Sequence, residues 1–158
     1  MKKQTKINFH IHSTGSDGKM SPEEVVKEAI ANGLHFICFT DHYKFPKNFK
    51  EMNGHHPVYL KELLRIQKYR ENFHNPSYVK EVRKLAKTYS EEIDVSFGVE
   101  IDWLEYDIEC IAEEIKKESY DYVLGSVHCI PLKGVYWPVD CGKGGKKELL
   151  KCTINLAR

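Results

Sequence analysis

An α/β domain built around a parallel sheet is the fold the sequence predicts, and three observations predict it. Strand-like apolar runs alternate with amphipathic helical stretches in the order β-α-β-α-α-β-α-β. The second run is apolar almost throughout, as a strand covered on both faces must be. Each run also closes on a His, Asp or Glu, which sets polar side chains at strand C-terminal ends, where barrels of this kind carry their active sites.

A chain of 158 residues is long enough for one domain, 1–158, with its own core. Hydrophobic residues make up 41% and charged residues 30%, the balance of a water-exposed globular protein. The formal net charge of +1 gives no global field to draw nucleic acid or an anionic membrane. Apolar runs such as 36–39 are far too short to cross a bilayer. Met1-Lys2-Lys3 is basic, but no long apolar stretch follows, so no secretory signal is expected. Five cysteines, at 38, 110, 129, 141 and 152, form no C-x-x-C pair. Their odd number and scatter argue against a disulfide framework and for a reducing cytoplasm.

The first strand is expected over residues 7–12, Ile7-Asn8-Phe9-His10-Ile11-His12. Residues two apart on a strand point the same way, so His10 and His12 face one side and Ile7, Phe9 and Ile11 the other. The loop Ser13-Thr14-Gly15-Ser16-Asp17-Gly18 follows. Asp17 either shapes this turn or folds back toward the histidines. Ser21-Pro22-Glu23-Glu24 then starts a helix, with Ser21 as cap, Pro22 in the first turn and Glu24 closing a capping box. Val25, Val26, Ala29 and Ile30 form its apolar stripe, and Asn32-Gly33 ends it.

Residues 34–40 are the doubly covered strand, and Asp41-His42 closes it with a ligand or catalytic group. His35 lies at its start and is read as structural. Residues 43–58 form a long loop, a lid or substrate wall, with His55-His56 solvated in it. Helices are expected over 59–71 and 77–89, the second carrying Val79, Val82, Leu85 and Ala86 on one stripe. Residues 94–100 are the third strand, where Gly98 permits close packing. Glu100 at its end is costly unless paired or bound to metal, and Asp102 is either a second acidic group or polar loop. A helix follows, with Leu104, Ile108, Ile111, Ala112 and Ile115 on one side and Lys116 and Lys117 at its end. Residues 121–128 are the fourth strand, again ending in His128. From 129 to 145 the chain reads as glycine- and proline-rich loop, and a last helix begins at about 147. Gly142 to Lys147 lacks the ending of a phosphate-binding P-loop.

In such a sheet His10, His12, His42, Glu100 and His128 gather at one rim. Imidazole and carboxylate together suit zinc, iron or manganese, and no thiolate cluster points to a closed structural zinc site.

These segments carry a resemblance. His10-Ile11-His12, Ser16-Asp17-Gly18, Thr40-Asp41-His42, Gly98-Val99-Glu100 and Gly125-Ser126-Val127-His128 resemble, in order, the N-terminal part of the polymerase-and-histidinol-phosphatase (PHP) superfamily of metal-dependent phosphoesterases. Residues 38–42 and 121–128 look most like its histidinol-phosphatase branch. The resemblance implies a distorted (β/α)7 TIM-like barrel holding up to three divalent metals. It implies that His10, His12 and Glu100 hold the first, that Glu100 bridges to a second shared with His128, and that Asp17 and His42 belong to the third. The implied reaction is hydrolysis of a phosphate monoester, histidinol phosphate, by hydroxide generated on the metal. It implies no catalytic side chain and no substrate-binding residue by name.

A complete barrel of this type needs roughly 250 residues, and only four strand units are recognisable. The later metal ligands of the superfamily have no counterpart after His128. The reading is therefore a partial barrel without its C-terminal strands, with an open sheet edge that favours self-association or a complementing C-terminal half. The alternatives are a non-catalytic metal-binding remnant and a phosphoesterase of another substrate.

Overall fold

The computed structural model describes residues 5–42, 76–102, 112–113, 115–116, 119–127, 129–132 and 135–138. Four strands form one parallel sheet in the order β1-β2-β3-β4: β1 Ile7–Ile11, β2 Phe36–Phe39, β3 Asp94–Asp102 and β4 Tyr122–Ser126. Helix α1, Pro22–Ala31, lies between β1 and β2 in sequence, and α2, Pro76–Thr88, precedes β3. The helices expected over 59–71 and from 147, the loop 43–58 with its histidines, and the Gly142 to Lys147 stretch lie outside the described residues. Of the helix expected after Leu104, the described residues 112–113 and 115–116 are helical.

Helix α1 begins as its sequence dictates. The Glu24 backbone N–H is accepted by the Ser21 side chain, and Glu24 Oε2 accepts from the Ser21 backbone N–H at 2.8 Å. Its stripe buries Val25, Val26 and Ala29. That stripe meets Tyr78, Val82 and Leu85 of α2 over one sheet face, made of Ile37, Phe39, Phe97, Val99 and Ile101. Each fully buried aliphatic or aromatic side chain contributes about 1.5–3 kcal/mol, so this layer holds β2 and β3 at the centre. Ile37, Cys38 and Phe39 are all fully buried, which explains the unbroken apolar run.

The opposite sheet face carries Cys38, Gly98, Tyr122 and Glu100, by register and alternation. Gly98 is there for space: a Cβ would stand 2.6 Å from the Tyr122 carbonyl oxygen and 2.8 Å from Cys38 Sγ. Across α2 and β4, Arg83 pairs with Asp121, whose carboxylate also accepts from the Phe97 N–H at 2.9 Å.

Two expectations need correction. Phe9 was expected opposite the histidines, yet its ring lies 4.8 Å from that of Phe36 and 5.3 Å from that of Tyr122, on the Glu100 face. The cause is a bulge. Asn8 pairs with Ile37 and Ile11 with Phe39, so Phe9 and His10 together oppose Cys38. The His10 N–H accordingly goes to Asn8 Oδ1 at 3.0 Å. Secondly, residues 129–145 do not read out as loop throughout. β5, Cys129–Leu132, pairs antiparallel with β6, Val135–Pro138, as a separate two-stranded sheet. Pro131 and Pro138 argued against strands, but a two-stranded ribbon has outward positions at which no N–H is needed. No helix among the described residues is long and apolar enough to cross a membrane.

Candidate metal centre

The site is built at the C-terminal ends of β1, β2 and β3. Main-chain bonding carries the sheet past β2: the Thr40 N–H donates to the Ile11 carbonyl and the Glu100 N–H to the Asp41 carbonyl. His42 forms a parallel bridge with Glu100. Backbone register alone therefore places His12, His42 and Glu100 on neighbouring strand ends.

Glu100 is 1% exposed, and its Oε2 is the focus of the cluster. His12 Nε2 lies 2.8 Å from it, His42 Nδ1 3.1 Å and His10 Nε2 3.2 Å. The Ser126 hydroxyl of β4 donates to the other oxygen, Oε1. Burying an isolated carboxylate is costly, so the site concentrates charge where cationic partners must answer it. The His10 and His12 Nε2 atoms are only 3.1 Å apart.

Asp17 forms the second lobe. Its Oδ1 accepts from His12 Nδ1 at 2.8 Å, and its Oδ2 lies 3.7 Å from His42 Nε2. Of the two readings open to this residue, the fold-back is the one observed. The loop turns tightly to bring it there: the Ser16 and Gly18 N–H groups both donate to the Ser13 carbonyl. Gly18 passes so close to His12 that a Cβ would meet its carbonyl oxygen at 2.5 Å.

Both ring nitrogens of His12 thus face carboxylates. Burial alone would depress this imidazole, but its hydrogen bonds to Asp17 and Glu100 outweigh that and raise its pKa to about 9. The same contacts, from His12 first and then His42, hold the Asp17 carboxyl well below the usual carboxylate range. The cluster stabilises positive charge at its centre, whether that charge is a proton or a metal ion.

Among the described residues, two sets of donors have the spacing and chemistry for a divalent cation: His10, His12 and Glu100, and His12, Asp17 and His42. Within each set the ligand atoms lie within 4.8 Å of one another. Imidazole nitrogen with carboxylate oxygen suits zinc, iron or manganese, so the donor set fits such an ion. Of the six candidate residues, His10, His12, Asp17, His42 and Glu100 come together, and His128 lies outside the described residues.

Sequence reading makes Asp41 with His42 a ligand or catalytic group, but Asp41 belongs to neither donor set, and the layer it forms beneath them was missed. Asp41, fully buried, accepts from the Ser13 N–H and hydroxyl, both at 2.8 Å, from the Ser16 hydroxyl at 2.5 Å and from the Tyr78 hydroxyl. The signal available was an acidic residue directly after a doubly buried strand, beside a loop holding two serines.

The PHP domain family matches residues 8–154. A curated histidinol-phosphatase from Lactococcus lactis is 32% identical over 126 residues, covering 78% of this chain and 39% of that protein. A crystal structure of histidinol phosphate phosphatase from Lactococcus lactis, complexed with zinc, L-histidinol and phosphate, superposes with a TM-score of 0.59 at 26% identity. It covers 80% of this chain and 41% of that one. The fold is also that of the putative histidinol phosphatase of Listeria monocytogenes, with a TM-score of 0.66 at 18% identity over 87% of this chain and 50% of that one. The chain spans about two-fifths to half the length of these relatives, and its sheet is the corresponding part of their α/β fold.

Proposed function

The chain belongs to the PHP domain family, and from that premise we propose that its His–Glu cluster serves a metal-dependent phosphate monoester hydrolase acting on L-histidinol phosphate. The observation that carries this reading is the convergence of three imidazole nitrogens on one oxygen of buried Glu100. Such an arrangement has poor use in a purely structural core, where an apolar side chain of similar volume would pack at less cost.

In this reading His10, His12 and Glu100 would hold one divalent cation, and Asp17 and His42 would serve another of the up to three. From the superfamily pattern, His128 would serve a further cation together with Glu100. Zinc, iron or manganese fits the donors, and zinc is the ion in the Lactococcus structure. When bound, such ions supply Lewis-acid charge and activated water for phosphoryl transfer.

The side chains have separable tasks. Asp17 holds the His12 ring through Nδ1 and so fixes the direction of Nε2. Ser126 fixes the Glu100 carboxylate through Oε1, leaving Oε2 for the centre. The His10 side chain is 51% exposed, which leaves the solvent side open for a phosphate group. The resemblance in sequence and structure to histidinol-phosphatase from Lactococcus lactis supports histidinol phosphate as the substrate.

The test is metal analysis of the purified chain after reconstitution, with phosphate release followed from L-histidinol phosphate, glucose 6-phosphate and p-nitrophenyl phosphate. Bound metal and release from L-histidinol phosphate, both lost in Glu100→Gln, is the expected result. Metal with release only from the other esters reassigns the substrate. No bound metal and no release would overturn the reading for this chain.

A further inference from the structure

We propose that Asp41 is the positioning residue of the centre: its buried carboxylate locks the β1–α1 loop so that Asp17 and His42 keep their places. The inference rests on reading the His–Asp–Glu cluster as a cation site.

Asp41 occupies an unusual position. It precedes His42 in the chain, and its carbonyl accepts from the Glu100 N–H at 3.1 Å. Its side chain turns the other way, into the loop after β1. There it accepts from the Ser13 N–H and hydroxyl and from the Ser16 hydroxyl. Ser13 directly follows His12 and Ser16 directly precedes Asp17. One carboxylate thus fastens the neighbours of two candidate ligands, itself precedes a third, and belongs to neither donor set.

Helix α2 closes the clamp. The Tyr78 hydroxyl donates to Asp41 and lies 3.3 Å from the Ser13 hydroxyl. The Tyr78 ring lies against Gly15, where an added Cβ would stand 2.6 Å from Cε2. The loop is therefore gripped at Ser13, Gly15 and Ser16, and Asp17 projects from it toward His12 and His42. Hydrogen bonds to a charged acceptor are the stronger kind, and all of these are buried. A merely structural buried aspartate would serve stability alone. This one sets the separation between the His12 and His42 strand ends, on which the Asp17 lobe depends far more than the His10–Glu100 lobe.

The test is Co2+ titration of the full chain, followed by visible absorption and calorimetry, on wild type, Tyr78→Phe, Ser16→Ala and Asp41→Asn. None of these substitutions replaces a candidate ligand; the Ser16 hydroxyl also lies 3.4 Å from Asp17 Oδ1, so Tyr78→Phe, which removes a bond to Asp41 from helix α2, is the deciding variant. Folding is checked by far-ultraviolet circular dichroism. The expected result is that Tyr78→Phe and Ser16→Ala fold and keep the tighter site within about twofold, but lose roughly tenfold at the weaker site. The d–d bands of the second equivalent should change, and Asp41→Asn should lose more. Folded variants whose isotherm and spectrum superpose on wild type would overturn the proposal. So would equal weakening of both sites, or loss of the fold in Tyr78→Phe and Ser16→Ala alike, which would make the network structural. Failure of the underlying reading is distinct: wild type itself would then take up no Co2+.

Discussion

His12 Nε2 stands 2.8 Å from Oε2 of Glu100 although one residue follows the first strand of the sheet and the other lies in the third. The pair is joined by register: β2 lies between those strands, and its continuation bonds to both through Thr40 and Asp41. The contact makes Glu100 the most consequential single residue of the centre. Glu100→Gln keeps the volume but removes the charge faced by three imidazoles. Loss of an outer partner of a metal ligand costs roughly 10–100-fold in affinity, and removal of the central carboxylate should cost more. Divalent-cation affinity measured by calorimetry should fall by over about 100-fold. In the metal-free variant the His12 resonance should titrate well below 9, toward the ordinary 6.5, because one of its two anionic partners is gone. An unchanged His12 titration would show that Asp17 alone sustains the shift.

The His12 pKa also fixes how metal-free stability depends on pH. Its folded value of about 9 lies above the unfolded 6.5. The protonated ring is therefore favoured by folding, and its contribution is fully present below 6.5 and lost as pH rises through about 9. On the acid side, Asp17 is depressed in the folded chain, so its contribution is present above the usual carboxylate range and lost as pH falls through and below it. Both describe largely one ion pair and are not additive. Chelated protein should melt several degrees lower at pH 9.5 than at pH 7 by differential scanning calorimetry. A divalent cation must expel the His12 proton in order to bind. Binding at pH 7 should thus release about one proton, measurable from the calorimetric enthalpy in two buffers of different ionisation enthalpy. Release should vanish as pH passes 9.

Gly98 gives a prediction that separates framework from chemistry. In Gly98→Ala the new methyl meets the Tyr122 carbonyl at 2.6 Å and Cys38 Sγ at 2.8 Å, and the carbonyl belongs to backbone of the next strand. Overpacking of this kind costs about 1–3 kcal/mol. The midpoint of urea unfolding should fall accordingly. Because Glu100 lies two residues further along β3, cation affinity should fall as well. Stability loss with affinity retained would mean that β4 yields while the β2–β3 rim does not.

Much of this centre is legible in the sequence because strand ends are legible. The apolar runs before His12, Asp41-His42 and Glu100 announce strands, and parallel order brings their ends to one rim. Asp17 was ambiguous from sequence, since a turn residue and a ligand look alike until the loop's direction is known. Phe9 defeated the alternation rule because a bulge at Phe9–His10 leaves no local mark in the sequence. Tyr78 looked like one more helix residue beside Val79 and Val82, since nothing in the chain shows that its hydroxyl reaches a carboxylate far away in sequence. The β5–β6 ribbon was hidden by Pro131 and Pro138, which are poor strand residues wherever a backbone donor is needed.

Asp17→Asn should divide the centre into its two lobes. Asn keeps an oxygen that can face His12 Nδ1 but removes the negative charge shared with His42. The His10, His12 and Glu100 set retains all its donor atoms. The His12, Asp17 and His42 set loses its anionic ligand, and neutral amide oxygen is a poor substitute toward zinc or manganese. Metal analysis after dialysis should therefore show about one equivalent fewer than wild type, with the remaining ion held within roughly the 10–100-fold range expected when only an outer partner of His12 has changed. The two lobes share His12, so the His12 pKa in the metal-free variant must fall as the second site is lost. Retention of both ions at wild-type affinity would place the second one elsewhere than at Asp17. Loss of both would mean that the His12 ring, once released at Nδ1, no longer presents Nε2 to Glu100.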